Sequence, residues 1–441
     1  MKSFYNATIF FIICLCCLDS VLGQTPRRLS LAECIDMAIQ NNPTLRRAEL
    51  ALSRDNIQYK QAQYKRLPSL NGNVNHDYNE GRSVNSTTNQ FVESSYFSGS
   101  QSLSLSVPLF RGFQIMHDIR KRASAKEAGK LEFEGAINEL KLDVIAAYVL
   151  LLTAQDMLSQ SEGQLAVSQE NLRRTGVLHQ QGAINPGDYY DLEGQVQAEQ
   201  HALDNAKQVL HNSELRLASL LAISLDELPG IQPLGMPSPD ANLSRADLYK
   251  EALAVLPNFK ALDWRIKEAQ SDIKVAKADY YPSLSLNAGI QSRFSSVDAA
   301  GYNYWQQLKN YPSKGVSLSL RVPIFNQMNV RTQVKLAKLN LEEVIWNRKI
   351  AENKLQEETA KAVFNLSLLQ RNVSNLQQQE QSYQEAFRIA QVHFDKGNSN
   401  SVLYLTAKNK LDNTKNQLLI KQYEWVLQKY INDYYAGKLD L

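Results

Sequence analysis

Residues 102–110 read SLSLSVPLF, and residues 317–325 read SLSLRVPIF. The chain writes nearly the same nine residues twice, 215 positions apart. Each copy alternates strictly. Leu103, Leu105, Val107 and Leu109 interleave with Ser102, Ser104 and Ser106; Val316, Leu318, Leu320, Val322 and Ile324 interleave with Ser317, Ser319 and Arg321. Successive side chains of a strand point to opposite faces, so each stretch reads as a strand with one apolar and one polar face.

The pair belongs to a longer duplication. Ser30, Ala32, Ala38 and Pro43 recur as Ser244, Ala246, Ala252 and Pro257, each 214 residues on. Pro108, Gly182, Asn185 and Tyr189 recur as Pro323, Gly397, Asn400 and Tyr404, each 215 on. A register held this far makes the chain two copies of one unit, at residues 24–229 and 230–441, and the period is too long for a short-repeat solenoid. Each copy orders its parts alike: a first helix (30–64, then 244–280), two alternating stretches around a polar loop, a very long helix, a Gly/Asn turn and a returning helix.

The long helices carry heptads. Ile137, Val144, Leu151, Leu158, Leu165 and Leu172 recur every seven residues, as do Leu355, Ala362, Leu369, Leu376, Tyr383 and Ala390. Val196, Leu203, Leu210 and Leu217, and Leu411, Leu418 and Trp425, continue the pattern on the return helices. Large apolar residues at this spacing predict supercoiled packing. From 112 to 180 the first long helix would run roughly 100 Å at ~1.5 Å per residue, more than a globular domain requires.

A half-solvated soluble sheet would also alternate. Two features favour lipid: stretches of about ten residues cross a bilayer when tilted, and apolar-out with polar-in suits a water-filled barrel. Tyr78, Tyr96, Phe97, Phe110 and Phe325 lie at or near the predicted strand ends, where an aromatic girdle belongs. Four strands cannot close, and lipid does not tolerate an open edge. Two chains would give a side-chain-filled barrel of eight strands; three would give twelve with room for a lumen. Pro108 and Pro323 are expected to mark where strand hands over to helix, since proline cannot donate to the ladder.

The 441 residues carry a formal net charge of +3 with scattered basic residues, so nucleic-acid binding has no support. Residues 1–23 read as a secretory leader: Lys2, an apolar run over 7–18, and small residues before Gln24. The run is too short to span a bilayer. Three cysteines fall inside the leader, leaving Cys34 alone, so no disulfide framework or cysteine metal site is expected; its neighbours Leu31, Ile35 and Ala38 make it a small buried hydrophobe. No later apolar stretch reads as a transmembrane helix. Phosphate-loop, serine-elbow and zinc-helix motifs are absent, and the six histidines are dispersed. Neither an enzyme nor a cofactor is expected.

The chain resembles the TolC-like outer-membrane efflux factors. The resemblance rests on LSLAECIDMAIQNNPTLRRAELAL at 29–52, on SLSVPLFRG at 104–112 and on the duplicated strand–strand–hairpin order. It implies a mostly α, mixed α+β membrane protein in the outer membrane of a Gram-negative bacterium. Three chains would form a transmembrane β-barrel, four strands each, continuous with a periplasmic α-helical coiled-coil tunnel. The channel would be passive, meeting a periplasmic adaptor and an inner-membrane transporter at its far end. The hairpin tips, Gly182, Asn185, Gly397 and Asn400, would be the docking edge, although these residue types are also ordinary turn formers.

The family often constricts that end with acidic residues six and nine positions after the second hairpin's glycine. Here those positions are Leu403 and Thr406, while the first hairpin carries Asp188 and Asp191 at the same spacings. The two aspartates could form an acidic ring, or Asp188 could cap the helix it opens. A different reading of the whole chain is a secreted or periplasmic structural or adhesive coiled-coil protein with a small soluble sheet.

Overall fold

The computed structural model describes residues 28–84, 89–93, 95–237, 244–298 and 300–439. The leader read at 1–23 lies outside them. In chain order the elements are α1 (Leu31–Asn41), α2 (Pro43–Tyr64), β1 (Ser69–Asn79), a small hairpin of β2 (Arg82–Val84) and β3 (Phe91–Glu93), β4 (Tyr96–Arg111), α3 (Gln114–Gln180) and α4 (Pro186–Leu221). The second half follows with α5 (Arg245–Val255), α6 (Pro257–Ala278), β5 (Ser283–Ser295), a short α7 (Tyr304–Asn310), β6 (Ser313–Arg321), α8 (Asn329–Asp395) and α9 (Ser401–Tyr435). The chain is mostly helical, with four long antiparallel strands and two repeats of one order.

The single first helix expected in each repeat is two helices. Asn42 (φ −66°, ψ 122°) and Leu256 (φ −63°, ψ 123°) are extended, because the following prolines exclude helical geometry there. Asn42 then serves both neighbours: its Oδ1 accepts the Thr44 N–H at 2.8 Å, and its Nδ2 donates to the Leu220 carbonyl at 3.0 Å. Upstream, Ser30 and Glu33 close a capping box over α1.

The chain divides into two compact units, and each repeat contributes to both. One comprises the N-terminal residues to Arg47, Gly135–Leu256 and Asn353 onward. Its core joins Cys34, Ile35 and Ala38 of α1 to Leu217 and Leu221 of α4 and Leu248 and Ala252 of α5, all at most 1 % exposed. Leu165, Val196 and Leu203 form a cluster against Leu158 and Leu172, as the heptads require. One correction concerns α3, which is long and apolar enough to pass for a membrane span. Much of that apolar stretch is core: Val144, Ile145, Ala147, Tyr148, Val149, Leu151 and Leu152 are buried, while Leu150 is exposed. The Tyr148 hydroxyl donates to the Gln232 carbonyl at 2.6 Å and accepts the Gln232 N–H at 3.0 Å.

The other unit comprises Ala48–Glu134 and Pro257–Glu352. Its sheet has the order β1–β4–β5–β6, all antiparallel, so the central β4–β5 pair joins the two repeats. The register puts Leu70, Val74, Leu103, Leu105, Leu286, Ala288, Ile290, Val316, Leu318 and Leu320 on one face. Ser, Asn and Gln dominate the other. Ion pairs tie the helices of this unit together: Arg265 with Glu132 at 2.7 Å, Lys121 with Asp272 at 2.6 Å and Arg348 with Asp263 at 2.8 Å.

Strand hands over to helix around Pro323, whereas Pro108 lies inside its strand. Strand β4 continues past Pro108 to Arg111, with a bulge at Leu109: Pro108 faces Ser285 and Phe110 faces Leu284, so Leu109 is the extra residue. The missing N–H of proline is tolerated at such a bulge. Pro323 lies in the segment between β6 and α8. The turns themselves are Gly112–Phe113 and Gln327–Met328, again 215 residues apart, each a pair of left-handed residues.

Candidate functional site

Each long hairpin reverses in the same way. At the first tip the Gly182 N–H donates to His179 O at 3.0 Å and Ala183 N–H to Leu178 O at 2.8 Å. At the second, Gly397 N–H donates to Phe394 O at 3.0 Å and Asn398 N–H to His393 O at 2.9 Å. This double closure satisfies the last carbonyls of α3 and α8 and requires a left-handed residue; Gly182 has φ +67° and Gly397 φ +70°. The next helices start on asparagine caps. Asn185 Oδ1 accepts Gly187 N–H at 3.0 Å, and Asn400 Oδ1 accepts Leu403 N–H at 3.1 Å. The four tip residues singled out in the sequence therefore shape the turns.

Asp188 and Asp191 do something the sequence did not reveal. Asn185 already caps α4, and the Asp188 carboxylate instead accepts the backbone N–H of Ser401, first residue of α9, at 2.7 Å. The Ser401 hydroxyl donates to Asp191 Oδ2, also at 2.7 Å. Two carboxylates of one hairpin thus hold the helix start of the other, where unpaired N–H groups and the helix dipole favour negative charge. Ser401 is buried, whereas Leu403 and Thr406 are exposed. Among the described residues Thr406 bonds only within its own helix, its hydroxyl donating to Val402 O at 2.6 Å.

One turn further on, Tyr404 is 1 % exposed. Its ring stacks on Phe394 at 5.0 Å, and its hydroxyl accepts from Asn171 Nδ2 of α3. Burial pushes the Tyr404 hydroxyl up to about 12. The first repeat carries the corresponding stack, His179 on Tyr189 at 4.8 Å.

A second turn on, the Lys408 ammonium is buried between Glu199 at 2.6 Å and Asp412 at 2.7 Å. Gln195 donates to the same Glu199 oxygen at 2.7 Å. Ser401, Tyr404 and Lys408 therefore line one face of α9 with polar contacts, and Leu411 and Leu418 continue that face with apolar ones. The heptads marked Leu411 and Leu418; Lys408, Glu199 and Asn171 carried no sequence signal, because a lone charged residue on a helix normally reads as solvated. Among the described residues no group of three His, Cys, Asp or Glu could hold a metal ion.

The profile of the outer membrane efflux protein family matches residues 34–222 and again 248–429. The cation efflux system protein CusC of Escherichia coli O6:H1 is 23 % identical over 403 residues, covering 88 % of this chain and 82 % of CusC. The solvent efflux pump outer membrane protein SrpC of Pseudomonas putida is 23 % identical over 408 residues, covering 90 % and 83 %. The crystal structure of the Campylobacter jejuni CmeC outer membrane channel superposes with a TM-score of 0.80 at 19 % identity, covering 93 % of this chain and 86 % of CmeC. With both repeats matched and the sheet two-faced, the chain belongs to the outer membrane efflux protein family: it is an efflux channel of the Gram-negative outer membrane and neither an enzyme nor a free-standing coiled-coil protein.

Proposed function

We propose that this chain works as a homotrimer whose strands close a twelve-stranded barrel, and that its hairpin tips meet a periplasmic adaptor of an inner-membrane transporter. The observation that carries the reading is the sheet. Four strands stand in order with apolar side chains on one face, and β1 and β6 each have an unpaired edge among the described residues. Such edges persist in lipid only when another chain pairs with them. Three copies satisfy every edge and leave a lumen faced by the Ser and Asn side.

In this reading Gly182, Asn185, Gly397 and Asn400 shape the adaptor-facing edge. The gate is a clasp in which Asp188 and Asp191 hold Ser401, and Leu403 and Thr406, on the exposed side of α9, line the constriction where relatives of the family place carboxylates. An acidic ring of Asp188 and Asp191 facing the lumen fits less well, because one oxygen of each carboxylate is engaged by Ser401. The two efflux relatives are named for cations and for solvents, so family membership does not choose the solute.

The test is to purify the protein from outer membranes in detergent and measure the mass of the complex. A mass of three chains is expected, with a bilayer conductance that rises in an Asp188→Asn/Asp191→Asn variant. A monomeric or soluble protein would sink the reading.

A further inference from the structure

The polar face of the sheet carries few charges. In register, β1 contributes Asn71, Asn73 and Asn75, β4 contributes Ser100, Ser102, Ser104 and Ser106, and β5 and β6 continue with Ser285, Asn287, Gln291, Ser317 and Ser319. Toward one end of the strands its charged residues are Asp77 and Arg293, the latter opposite Ser100. Toward the other end stand Arg111 and Arg321. Both face Ser283, from opposite sides of β5: Arg111 on β4 and Arg321 on β6. Two strand spacings of ~4.8 Å put their backbones roughly 10 Å apart at one level.

Arg111 reaches this face only because of the bulge. Strict alternation along β4 would place it with Leu103 and Leu105, on the apolar side. The extra residue Leu109 reverses the parity, so Phe110 falls opposite Leu284 and Arg111 opposite Ser283. The two arginines are not repeat equivalents, since Arg321 corresponds to Ser106 and Arg111 to Asn326. They arrive at the same level by separate routes.

Both side chains are exposed and make no hydrogen bond or ion pair with any described residue. They line a cavity of about 630 Å³ together with Lys65 and the hydroxyls of Ser69, Ser106 and Ser319. The carboxylates nearest in sequence to this end are already engaged. Asp118 is held by Lys65 at 2.7 Å, and Asp279 accepts from Gln114 at 2.9 Å. No described residue neutralises the two guanidinium groups, whose planar donor forks match carboxylate and phosphate oxygens.

We infer that Arg111 and Arg321 form an anion-binding ring at the helical end of the barrel lumen, and that the channel accordingly takes solutes bearing carboxylate or phosphate groups in preference to cations. This rests on the trimeric reading, with the polar face inward. Three chains then supply six guanidinium groups, one on every second strand of twelve. In a narrow water-filled passage with low-dielectric walls such a ring concentrates anions and repels cations.

The test uses the purified full-length complex in planar bilayers under a potassium chloride gradient. Relative to wild type, the reversal potential of an Arg111→Gln/Arg321→Gln channel shifts toward potassium selectivity, and that of an Arg111→Lys/Arg321→Lys channel does not. Inorganic pyrophosphate added to the wild-type channel reduces its current reversibly, a readout that needs no variant. A conducting wild type that pyrophosphate leaves unaffected, or a conducting Gln variant with the wild-type reversal potential, overturns the arginine ring and leaves the channel reading standing. Trimers that insert and never conduct, either as wild type or as the Asp188→Asn/Asp191→Asn variant, overturn the channel reading itself.

Discussion

The carboxylate of Asp188 caps a helix that is not its own: it accepts the N–H of Ser401 at 2.7 Å, 213 residues away in sequence. A hydrogen bond to a charged group is worth about 1.5–3 kcal/mol, and the adjoining bond from the Ser401 hydroxyl to Asp191 adds to the same contact. Ser401→Ala removes the hydroxyl bond and keeps the backbone one; Asp188→Ala removes the cap. Both are expected to loosen the two hairpins, with Asp188→Ala the stronger. Uptake of a large hydrophilic antibiotic by cells carrying each variant measures this. Equal uptake by wild type and both variants would remove the clasp from gating.

Lys408 lies 2 % exposed between two carboxylates. Lys408→Met leaves Glu199 and Asp412 facing each other without their cation. Breaking a buried pair in this way costs about 3–5 kcal/mol, while replacing all the charges by neutral groups costs far less. Thermal unfolding should therefore show a large loss for Lys408→Met and substantial recovery in Lys408→Met/Glu199→Gln/Asp412→Asn. A single variant as stable as the triple one would contradict the pairing.

Gly112 turns β4 into α3 at φ +56°. A Cβ there would lie 2.4 Å from the Ala278 carbonyl oxygen and 2.7 Å from Tyr281 Cβ. Gly112→Ala meets both backbone strain and a clash, and a loss of about 1–3 kcal/mol or more is expected. The yield of assembled complex in outer membranes should fall. Gly315→Ala, with open space around the same atom, is the control and should assemble normally.

Burial, with Glu33 alongside, pushes the Cys34 thiol up from 9.0 to about 12, and burial pushes the Tyr148 hydroxyl up to about 12. Both groups ionise at lower pH in the unfolded chain than in the folded one. Their contribution to stability is therefore full below about pH 9 and is lost as pH rises to about 12. Melting temperatures should decline over that window, less steeply in Cys34→Ala. At pH 7.5 the folded protein should resist maleimide, because little thiolate forms and the side chain is buried. Rapid labelling without denaturant would refute the burial.

Much of this was legible in the residues. Alternation at 102–110 and 317–325 is a local property, and so is the seven-residue spacing from Val144 to Leu165. The duplication needed only a constant offset, and the offset also located the tip glycines. The breaks at Asn42 and Leu256 are equally local, since Pro43 and Pro257 stand beside them.

The remainder depends on registers that no single segment contains. Whether Arg111 faces lipid or water is decided by one extra residue, Leu109, counted against β5, where its partner Ser283 lies 172 residues further on. Likewise, the partner of Asp188 is set by how two hairpins lie side by side, and a capping residue in sequence gives no sign of which helix it caps. The sequence by itself determined the elements, their repeat and the two-faced sheet, because periodicity and proline act over a few residues. Only the tertiary structure decided which charges meet and which stay free, because those pairings depend on the alignment of strands and helices far apart in the chain.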